Sequence, residues 1–483
     1  MSDQHQDPYA ECDPDDQPGG SGTDRRTFLK GVGVAAAAAG LSFPHVWTPK
    51  RALASTIARD TVKHLLYIRL AGGFRFTAAF NGEVTDEFNP FGTADGVPGG
   101  TEWGVGKLLE RAPYLEGDGA DRRRELGMKP VHEIADQMAV LPCVDHEPLA
   151  ARADGNHGTG LERFHKGRVS SGTSFFTMIN YGLRERYETA REDGKTLLPA
   201  FSINDSGMAL GAGEYAGYRP PVLRDNSFES FGFEASDKLP EWAQEMAESS
   251  DDRFFDRVDE RDREPLDAYQ QTRAASSEYN EIFTSDMLRV GEASEEKFDG
   301  ISNEELELIF GTGPAASRVR LALRLFHFGC PAVYLNQGGY DYHSGEENRL
   351  PNTIVEMNRL ISGLEVALKT MEHPDGGSYW DHTLVVLGSE FGRTAGGNEF
   401  NSARGSDHGG DLATRWMSMP FMGGVIDEAG NGGRRFGETR NRDLEATGQV
   451  YSYRSVLKTL MDVLGCDHRE FFDADDPFDD LFA

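Results

Sequence analysis

Two apolar segments joined by one amphipathic helix constrain the fold of this sequence more than any other feature. Residues 331–336 and 383–387 are largely apolar, which is typical of strands buried on both faces of a parallel sheet. From about Thr353, apolar residues recur at intervals of three and four, which predicts a helix that buries one face. A strand, a helix and a second strand in this order predict a parallel pair with a right-handed crossover.

Other segments extend this pattern towards the N-terminus. Residues 63–70 form a continuous apolar run that leads into a Gly-Gly pair, so we predict a buried strand that enters a tight loop. Residues 138–144 predict another strand, and residues 315–326, opened by a Gly-Pro pair, predict a helix. The fold class that follows is α/β with a mostly parallel central sheet.

Three glycine-bracketed polar loops follow the two C-terminal strands. Gly-Gly-Tyr-Asp-Tyr-His occupies residues 338–343, Ser-Glu-Phe-Gly-Arg-Thr occupies 389–394, and Gly-Ser-Asp-His-Gly-Gly occupies 405–410. Because ligands bind outside the carboxyl ends of the strands in such sheets, we expect the loops to share one site. The side chains that suit a metal there are Asp341, His343, Glu390, Asp407 and His408. Mixed oxygen and nitrogen ligands suit Zn²⁺ or Mn²⁺, and Ca²⁺ fits where carboxylates dominate, so the sequence predicts a divalent metal without fixing its identity.

Further side chains fit the same site. Arg393 suits bidentate donation to a planar or tetrahedral anion. Upstream, Asp-Gly-Asn-His-Gly-Thr-Gly at residues 154–160 offers His157 as another ligand and Thr159 as a hydroxyl nucleophile. Taken singly, these residues also fit turns, helix caps, a local ion pair between Glu390 and Arg393 or, for Thr159, a polar surface loop. Their joint placement at strand ends favours a site.

The N-terminal segment has the order of an export signal. Arg-Arg-Thr-Phe-Leu-Lys at residues 25–30 precedes a weakly apolar stretch at 31–43, and Ala-Leu-Ala at 52–54 fits a cleavage site. Twin-arginine signals are addresses rather than anchors, and the apolar stretch is too short for a stable transmembrane anchor. We therefore expect residues 1–54 to be a signal peptide carried by the twin-arginine translocase. The mature protein is then periplasmic, at the cell surface or extracellular.

The charge composition excludes some partners. The chain has 80 Asp and Glu against 49 Lys and Arg, a net charge of −31, and only 11 of its basic residues are Lys. Such an excess of carboxylate suits a halophilic protein in concentrated salt, where self-repulsion is screened, and it also occurs in ordinary acidic secreted proteins. Nucleic acid and anionic lipid surfaces are therefore not expected partners.

One region differs from the remainder of the predicted mature chain. Residues 241–307 are dense in charge and mostly helix-forming, with a few aromatic residues between them. We predict a charged helical insertion or lid within a single large domain that spans residues 55–483.

The three polar loops, behind a twin-arginine leader, resemble the domain of unknown function 1501 family, which belongs by similarity to the alkaline phosphatase and sulfatase superfamily. This resemblance implies a three-layer α/β sandwich that holds one or two divalent metals and cleaves phosphate or sulfate esters. It implies that Asp341, His343 and His408 bind one metal, that Glu390 and Asp407 lie near a second position, and that Arg393 binds the anion.

The sequence also departs from that family. Relatives usually follow the first strand with Gly-Gly-x-Asp, whereas this chain has Gly-Gly-Phe-Arg-Phe at residues 72–76, without a carboxylate. The Cys-x-Pro-x-Arg signature of sulfatases is absent as well, so the nucleophile is unassigned. The leading hypothesis is a metal-dependent hydrolase of small anionic phosphate or sulfate esters. The alternative is a non-catalytic relative, an exported binding or surface protein that holds an unknown ligand in the same cleft.

Overall fold

The computed structural model describes residues 62–146, 155–192, 197–223, 242, 246, 249, 253, 297–393, 408, 416–448, 450–467, 471–472 and 478–482. The predicted signal peptide, Asp407 and most of the predicted insertion at residues 241–307 lie outside these residues. The expectations for those parts therefore stay predictions.

One central sheet organises the described residues. The strands of the structure are β1 (His64–Leu70), β2 (Met138–Asp145), β3 (Phe201–Ile203), β4 (Val222–Leu223), β5 (Lys297–Phe298), β6 (Ile301–Ser302), β7 (Ala332–Gln337), β8 (Thr383–Gly388), β9 (Trp416–Met422), β10 (Glu438–Thr439), β11 (Ala446–Thr447) and β12 (Tyr451–Ser452). Eight of them form a sheet in the order β12-β2-β9-β8-β1-β7-β3-β4. Every pairing in it is parallel except the two that β9 makes with β2 and β8.

β1 lies between β8 and β7, and every residue of β1 is buried. Leu65 stands opposite Ala332 of β7 on one side and Leu384 of β8 on the other, both in parallel register. A strand covered on both faces is mostly apolar, which explains the run from Leu65 to Ile68, and the buried His64 and Arg69 beside it make hydrogen bonds. Because the three strands are parallel, their carboxyl ends meet at one edge of the sheet.

The predicted strands at residues 63–70, 138–144, 331–336 and 383–387 are present, which confirms an α/β fold with a mostly parallel central sheet and flanking helices. The predicted pairing of the last two is wrong in one respect. β7 and β8 run parallel, but β1 lies between them and pairs with both. The two segments contain no sign of this, because the inserted strand comes from the other end of the domain.

The α-helices of the described residues are α1 (Ala120–Glu125), α2 (His157–Lys166), α3 (Phe175–Gly182), α4 (Arg184–Glu192), α5 (Asn303–Phe310), α6 (Pro314–His327), α7 (Glu346–Thr370), α8 (Tyr379–His382), α9 (Gly424–Glu428) and α10 (Tyr453–Val463). α6 matches the prediction for residues 315–326. None of the described helices combines the length and the apolar character of a membrane span.

α7 begins at Glu346, earlier than the expected start near Thr353, and Pro351 lies inside it. A proline within a helix removes a main-chain hydrogen bond and is expected to mark a boundary. A tertiary contact explains the extension, because Arg75 donates from Nε and Nη2 to Oε2 of Glu346 at 2.9 and 2.7 Å. Both side chains are buried, so this ion pair fixes the first turn of the helix to the loop after β1.

The last part of the predicted insertion is described. It contains a short antiparallel ladder of β5 and β6 and the start of α5 rather than helix alone. Ser302 caps α5 through its hydroxyl, which accepts from the main-chain N–H of Glu305.

Candidate metal centre

The carboxyl edge of the sheet brings together side chains from separate loops. Asp341 and His343 follow β7, Glu390 and Arg393 follow β8, and His157 is the first residue of α2. α2 starts there because the side chain of Asn156 accepts from the main-chain N–H groups of Gly158 and Thr159, at 2.8 and 3.3 Å. The cap therefore starts α2 at His157, which places this side chain in the first turn of the helix.

Four of the predicted ligands form one group. His157, Asp341, His343 and His408 each offer a ligand atom, and these atoms all lie within 4.8 Å of one another. Oδ1 of Asp341 is the common centre, at 3.4 Å from Nε2 of His157, 3.3 Å from Nε2 of His343 and 3.9 Å from Nε2 of His408. Three imidazoles and one carboxylate make up a donor set that suits Zn²⁺ or Mn²⁺. We call these four residues the metal group.

His408 is held by two contacts that direct its Nε2 towards the group. Its Nδ1 donates to the main-chain oxygen of Gly155 at 2.5 Å, and its ring stacks on Phe391 with centroids 4.7 Å apart. In a neutral imidazole whose Nδ1 carries the proton, Nε2 keeps a lone pair that can bind a metal. Burial, followed by the charge of Arg393, lowers the pKa of His408 and so favours this neutral form.

His157 is held from the opposite direction. Its Nδ1 lies 3.4 Å from Oε1 of Glu390, and its ring lies beside His408 with centroids 4.5 Å apart. Nε2 of His157 is shielded from solvent and makes no hydrogen bond within the part of the chain that the structure describes. A buried polar atom without such a partner is a reason to expect a ligand there. The hydrogen bond to Glu390, supported by the charge of Asp341, raises the pKa of His157.

The structure places Glu390 behind His157 and outside the metal group. Its carboxylate is buried and accepts from the main-chain N–H of Gly72 at 2.7 Å and from the hydroxyl of Ser389 at 3.2 Å. Burial alone raises the pKa of Glu390, but the hydrogen bond from His157 and the charge of Arg69 outweigh it and lower the pKa. Glu390 is therefore an ionised outer partner that orients a candidate ligand, a common arrangement around metal-binding histidines.

Arg393 connects the loops with its guanidinium group. It donates to the main-chain oxygens of Gly73, Tyr342 and Tyr340 at 2.7, 2.6 and 2.6 Å, and also to that of Gly72. It also donates to Oδ1 of Asp341 at 3.1 Å. Burial raises the pKa of Asp341, but the contact with Arg393 outweighs this and lowers it. These bonds support a positioning role for Arg393, and its predicted contact with an anion stays a prediction.

The Gly-Gly pair after β1 explains why the loop approaches the group so closely. Gly72 has φ +110°, and a Cβ built on it would lie 2.4 Å from the main-chain nitrogen of Asp341. A side chain at this position is therefore excluded by conformation and by space. The loop contributes the main-chain N–H of Gly72 to Glu390. The carboxylate expected from relatives would stand three residues later, where this chain has Arg75.

The remaining predicted residues are less connected. Thr159 lies in the first turn of α2, where its hydroxyl donates to the main-chain oxygen of Asn156 at 3.3 Å, and its role as nucleophile stays a prediction. Asp407 lies outside the described residues. Sequence reasoning missed the oxygen of Gly155 and the outer role of Glu390. Only the N-cap Asn156 carried a readable signal, because an Asn before a glycine-rich turn is a helix-start residue.

Comparison with known protein families confirms the predicted resemblance. A family model described as a protein of unknown function, DUF1501, matches residues 123–478, which is most of the chain. No curated protein and no solved structure matches.

Proposed function

Because this chain belongs to the DUF1501 family, which is described only as of unknown function, we propose its activity from its own residues. We propose that it is an exported hydrolase of phosphate or sulfate esters that uses a divalent metal ion held by the metal group. The observation that supports this is the convergence of three imidazoles on one carboxylate oxygen at the carboxyl edge of the sheet. An alkaline phosphatase-like, three-layer arrangement of the domain and export through the twin-arginine translocase belong to the same proposal.

The contacts behind the metal group also suit metal binding. His157 faces Glu390, His408 donates to Gly155, and Asp341 accepts from Arg393, so three of the four residues are oriented from behind. With three nitrogen donors, Zn²⁺ or Mn²⁺ fits better than Ca²⁺, which prefers six to eight oxygen ligands. When bound, such an ion supplies Lewis-acid polarisation of an ester oxygen.

The residues around the metal group have separate roles in this proposal. Arg393 fixes the position of Asp341, and Glu390 fixes the ring of His157. Thr159 lies on the first turn of α2, two residues after His157, and is our candidate nucleophile. In the first step the hydroxyl oxygen of Thr159 would bond to phosphorus or sulfur while the bond to the ester oxygen breaks, and the alcohol would leave with the hydroxyl proton. Water would then cleave the bond to Thr159, which releases the acid and restores the hydroxyl.

The non-catalytic alternative has one observation in its favour. The loop after β1 has no carboxylate, and its backbone approaches Asp341 too closely for a side chain at Gly72. An exported binding protein that holds an ion and an unknown ligand at the same edge needs neither that carboxylate nor a nucleophile.

Elemental analysis of the protein purified in high salt tests the metal. We expect one divalent ion per chain and its loss in the double variant His343→Ala, His408→Ala. The matched control His132→Ala removes an imidazole outside the metal group and is expected to keep the ion. If the native protein contains no divalent metal, the proposed metal-dependent hydrolase is contradicted.

Turnover of 4-nitrophenyl phosphate, bis(4-nitrophenyl) phosphate and 4-nitrophenyl sulfate tests the activity. We expect cleavage of at least one ester that requires the metal, with Thr159→Val inactive and Thr159→Ser partly active. A metal-loaded protein that cleaves none of them over a wide pH range supports the binding-protein alternative instead.

A further inference from the structure

A polar cleft lies beside the metal group on the same edge of the sheet. Its volume is about 490 Å³, and its lining includes Arg69 from β1, His165 and Lys166 from α2, Asn204 and Asp205 after β3, and Asn336 from β7. Arg69 joins the cleft to the metal group, because its Nε lies 3.7 Å from Oε2 of Glu390, the outer partner of His157. α2 contributes to both places, with His157 at its first turn and His165 near its last.

The charged side chains of the cleft are already paired with each other. Arg69 donates to Oδ2 of Asp205 at 2.9 Å, and Nζ of Lys166 lies 3.5 Å from Oε1 of Glu162. The hydroxyl of Tyr334 donates to the same oxygen of Asp205 at 3.0 Å. A charged ligand has to displace one member of these pairs, whereas a neutral hydroxyl can bridge them as donor and acceptor at once.

Two amides add groups that are ready for such a ligand. Asn204 is exposed and has a left-handed backbone with φ +61°, held by a main-chain hydrogen bond to Leu223, so its amide stands at the rim. Oδ1 of Asn336 is shielded from solvent and accepts no hydrogen bond within the described part of the chain. An amide offers donors and an acceptor side by side, which matches the hydroxyls of a polyol.

An apolar patch completes the wall. Leu210 lines the cleft and remains 40% exposed, which is rare among the large apolar side chains of the described residues. Leu161 lines the same cleft from α2. A sugar ring has an edge of hydroxyls and a face of C–H groups, and the lining of this cleft includes both paired polar groups and apolar side chains.

We infer that the cleft binds the uncharged, hydroxyl-rich part of the substrate, a monosaccharide or similar polyol, with its ester group directed to the metal group. The inference rests on the proposed function for the ester and on the cleft alone for the sugar. Free monosaccharides are then ligands of the protein as well as products of the reaction.

Saturation-transfer NMR with D-glucose, D-galactose and D-mannitol tests the sugar site without any turnover. We expect binding of at least one of them, weakened about fivefold to tenfold by Asn204→Gly and by Asn336→Leu, the effect of one or two lost neutral hydrogen bonds. Glycine keeps the left-handed backbone at residue 204. The matched control is Ser170→Gly, an exposed residue with φ +63° that does not line the cleft, and it is expected to bind like the wild type.

The same variants separate the two proposals. If sugars bind and no ester is cleaved, the cleft inference stands and the hydrolase proposal fails. If esters are cleaved but no sugar binds, the cleft inference is overturned and the hydrolase proposal stands. If Asn204→Gly and Asn336→Leu bind sugars like the wild type, the cleft inference is overturned and ester cleavage alone decides the hydrolase proposal. A preference for hexose phosphates over 4-nitrophenyl phosphate that falls in both variants supports both proposals.

Discussion

The two ends of β1 both place histidines beside the sheet, but in opposite surroundings. At the carboxyl end, His157 and His343 have partly exposed side chains and face the carboxylate of Asp341. At the amino end, His64 is buried, its Nδ1 donates to the main-chain oxygen of Cys330 at 2.7 Å, and its Nε2 lies 3.2 Å from Nε2 of His373. The carboxyl end therefore has imidazole nitrogens around the carboxylate oxygen of Asp341, whereas the amino end has two histidines that are hydrogen-bonded to each other.

The surroundings shift the pKa values of His157 and His64 in opposite directions. Glu390 and Asp341 raise the pKa of His157, whereas burial lowers the pKa of His64 to about 3 and that of His373 to about 4. Nδ1 of His373 accepts from the main-chain N–H of Asp375 at 3.1 Å, so its Nε2 carries the proton and donates to His64. The comparison shows that the carboxylates near a histidine, rather than the histidine itself, distinguish the metal group from the structural pair of His64 and His373.

Removal of the central carboxylate gives the largest expected effect. Asp341→Asn takes away the charge that three imidazoles face, so we expect metal affinity to fall by more than about 100-fold, beyond the loss typical of an outer partner. Competition with a chromogenic chelator measures it. His373→Asn at the amino end is the control and should keep the affinity. Equal losses in both variants would contradict the distinction between the two ends.

Gly72→Ala tests how tightly the carboxyl end is packed. The new Cβ meets the main chain of Asp341 and the backbone is left-handed, so we expect a loss of about 3 kcal/mol or more in the free energy of unfolding. Gly96→Ala is the matched control, because Gly96 has φ +69° with no atom within 4 Å of the built Cβ. Chemical denaturation of both variants checks this, and a similar loss in both would show that the clash is unimportant.

Glu390→Gln sharpens the difference in outer partners. Glutamine keeps an oxygen for the N–H of Gly72 but removes the charge behind His157, so we expect metal affinity to fall about 10-fold to 100-fold. Asp375→Asn at the amino end is the control, since its contact with His373 uses the main chain. The chelator titration applies here as well, and an unchanged affinity in Glu390→Gln would argue against an orienting role.

The smallest effect concerns pH at the amino end. The folded-state pKa of His64 is about 3 and the ordinary value is 6.5, so below pH 6.5 the unfolded chain takes up a proton that the folded chain excludes. The free energy of unfolding therefore decreases as the pH is lowered, and His64 alone decreases it by about 2 kcal/mol at pH 5.

His64→Asn keeps a donor for the oxygen of Cys330 and removes the titrating ring, so its stability should depend less on pH between 6.5 and 5. Denaturant titrations at several pH values measure the slope, with His132→Asn as the control for loss of an imidazole. An unchanged slope in His64→Asn would show that the buried pair does not titrate in this way.

Much of the fold could be read from the sequence because buried parallel strands leave a continuous apolar pattern. Residues 63–70, 138–144, 331–336 and 383–387 all form strands of the one sheet. The order of the strands could not be read, because the insertion of β1 between β7 and β8 depends on contacts distant in the chain.

The sequence predicted which residues form the site better than it predicted the role of each residue. Polar residues after strand ends pointed to His157, Asp341, His343 and His408, which the structure brings together. Glu390 has the chemistry of a ligand, and only geometry places it behind His157. Four hydrogen bonds of Arg393 and the one from His408 to Gly155 end on main-chain oxygens, which every residue has and no sequence pattern marks.

The position of β9 has a consequence for the time at which this protein can be completed. β9 is the antiparallel strand that joins the β12-β2 part of the sheet to the part from β8 to β4, and it lies late in the chain. A nascent chain that ends before Trp416 has two open sheet edges and no bridge between its halves, so the domain can close only near the end of synthesis. Because we propose that this chain is exported after it has folded, a copy that ends before β9 cannot complete its sheet and is not expected to be exported.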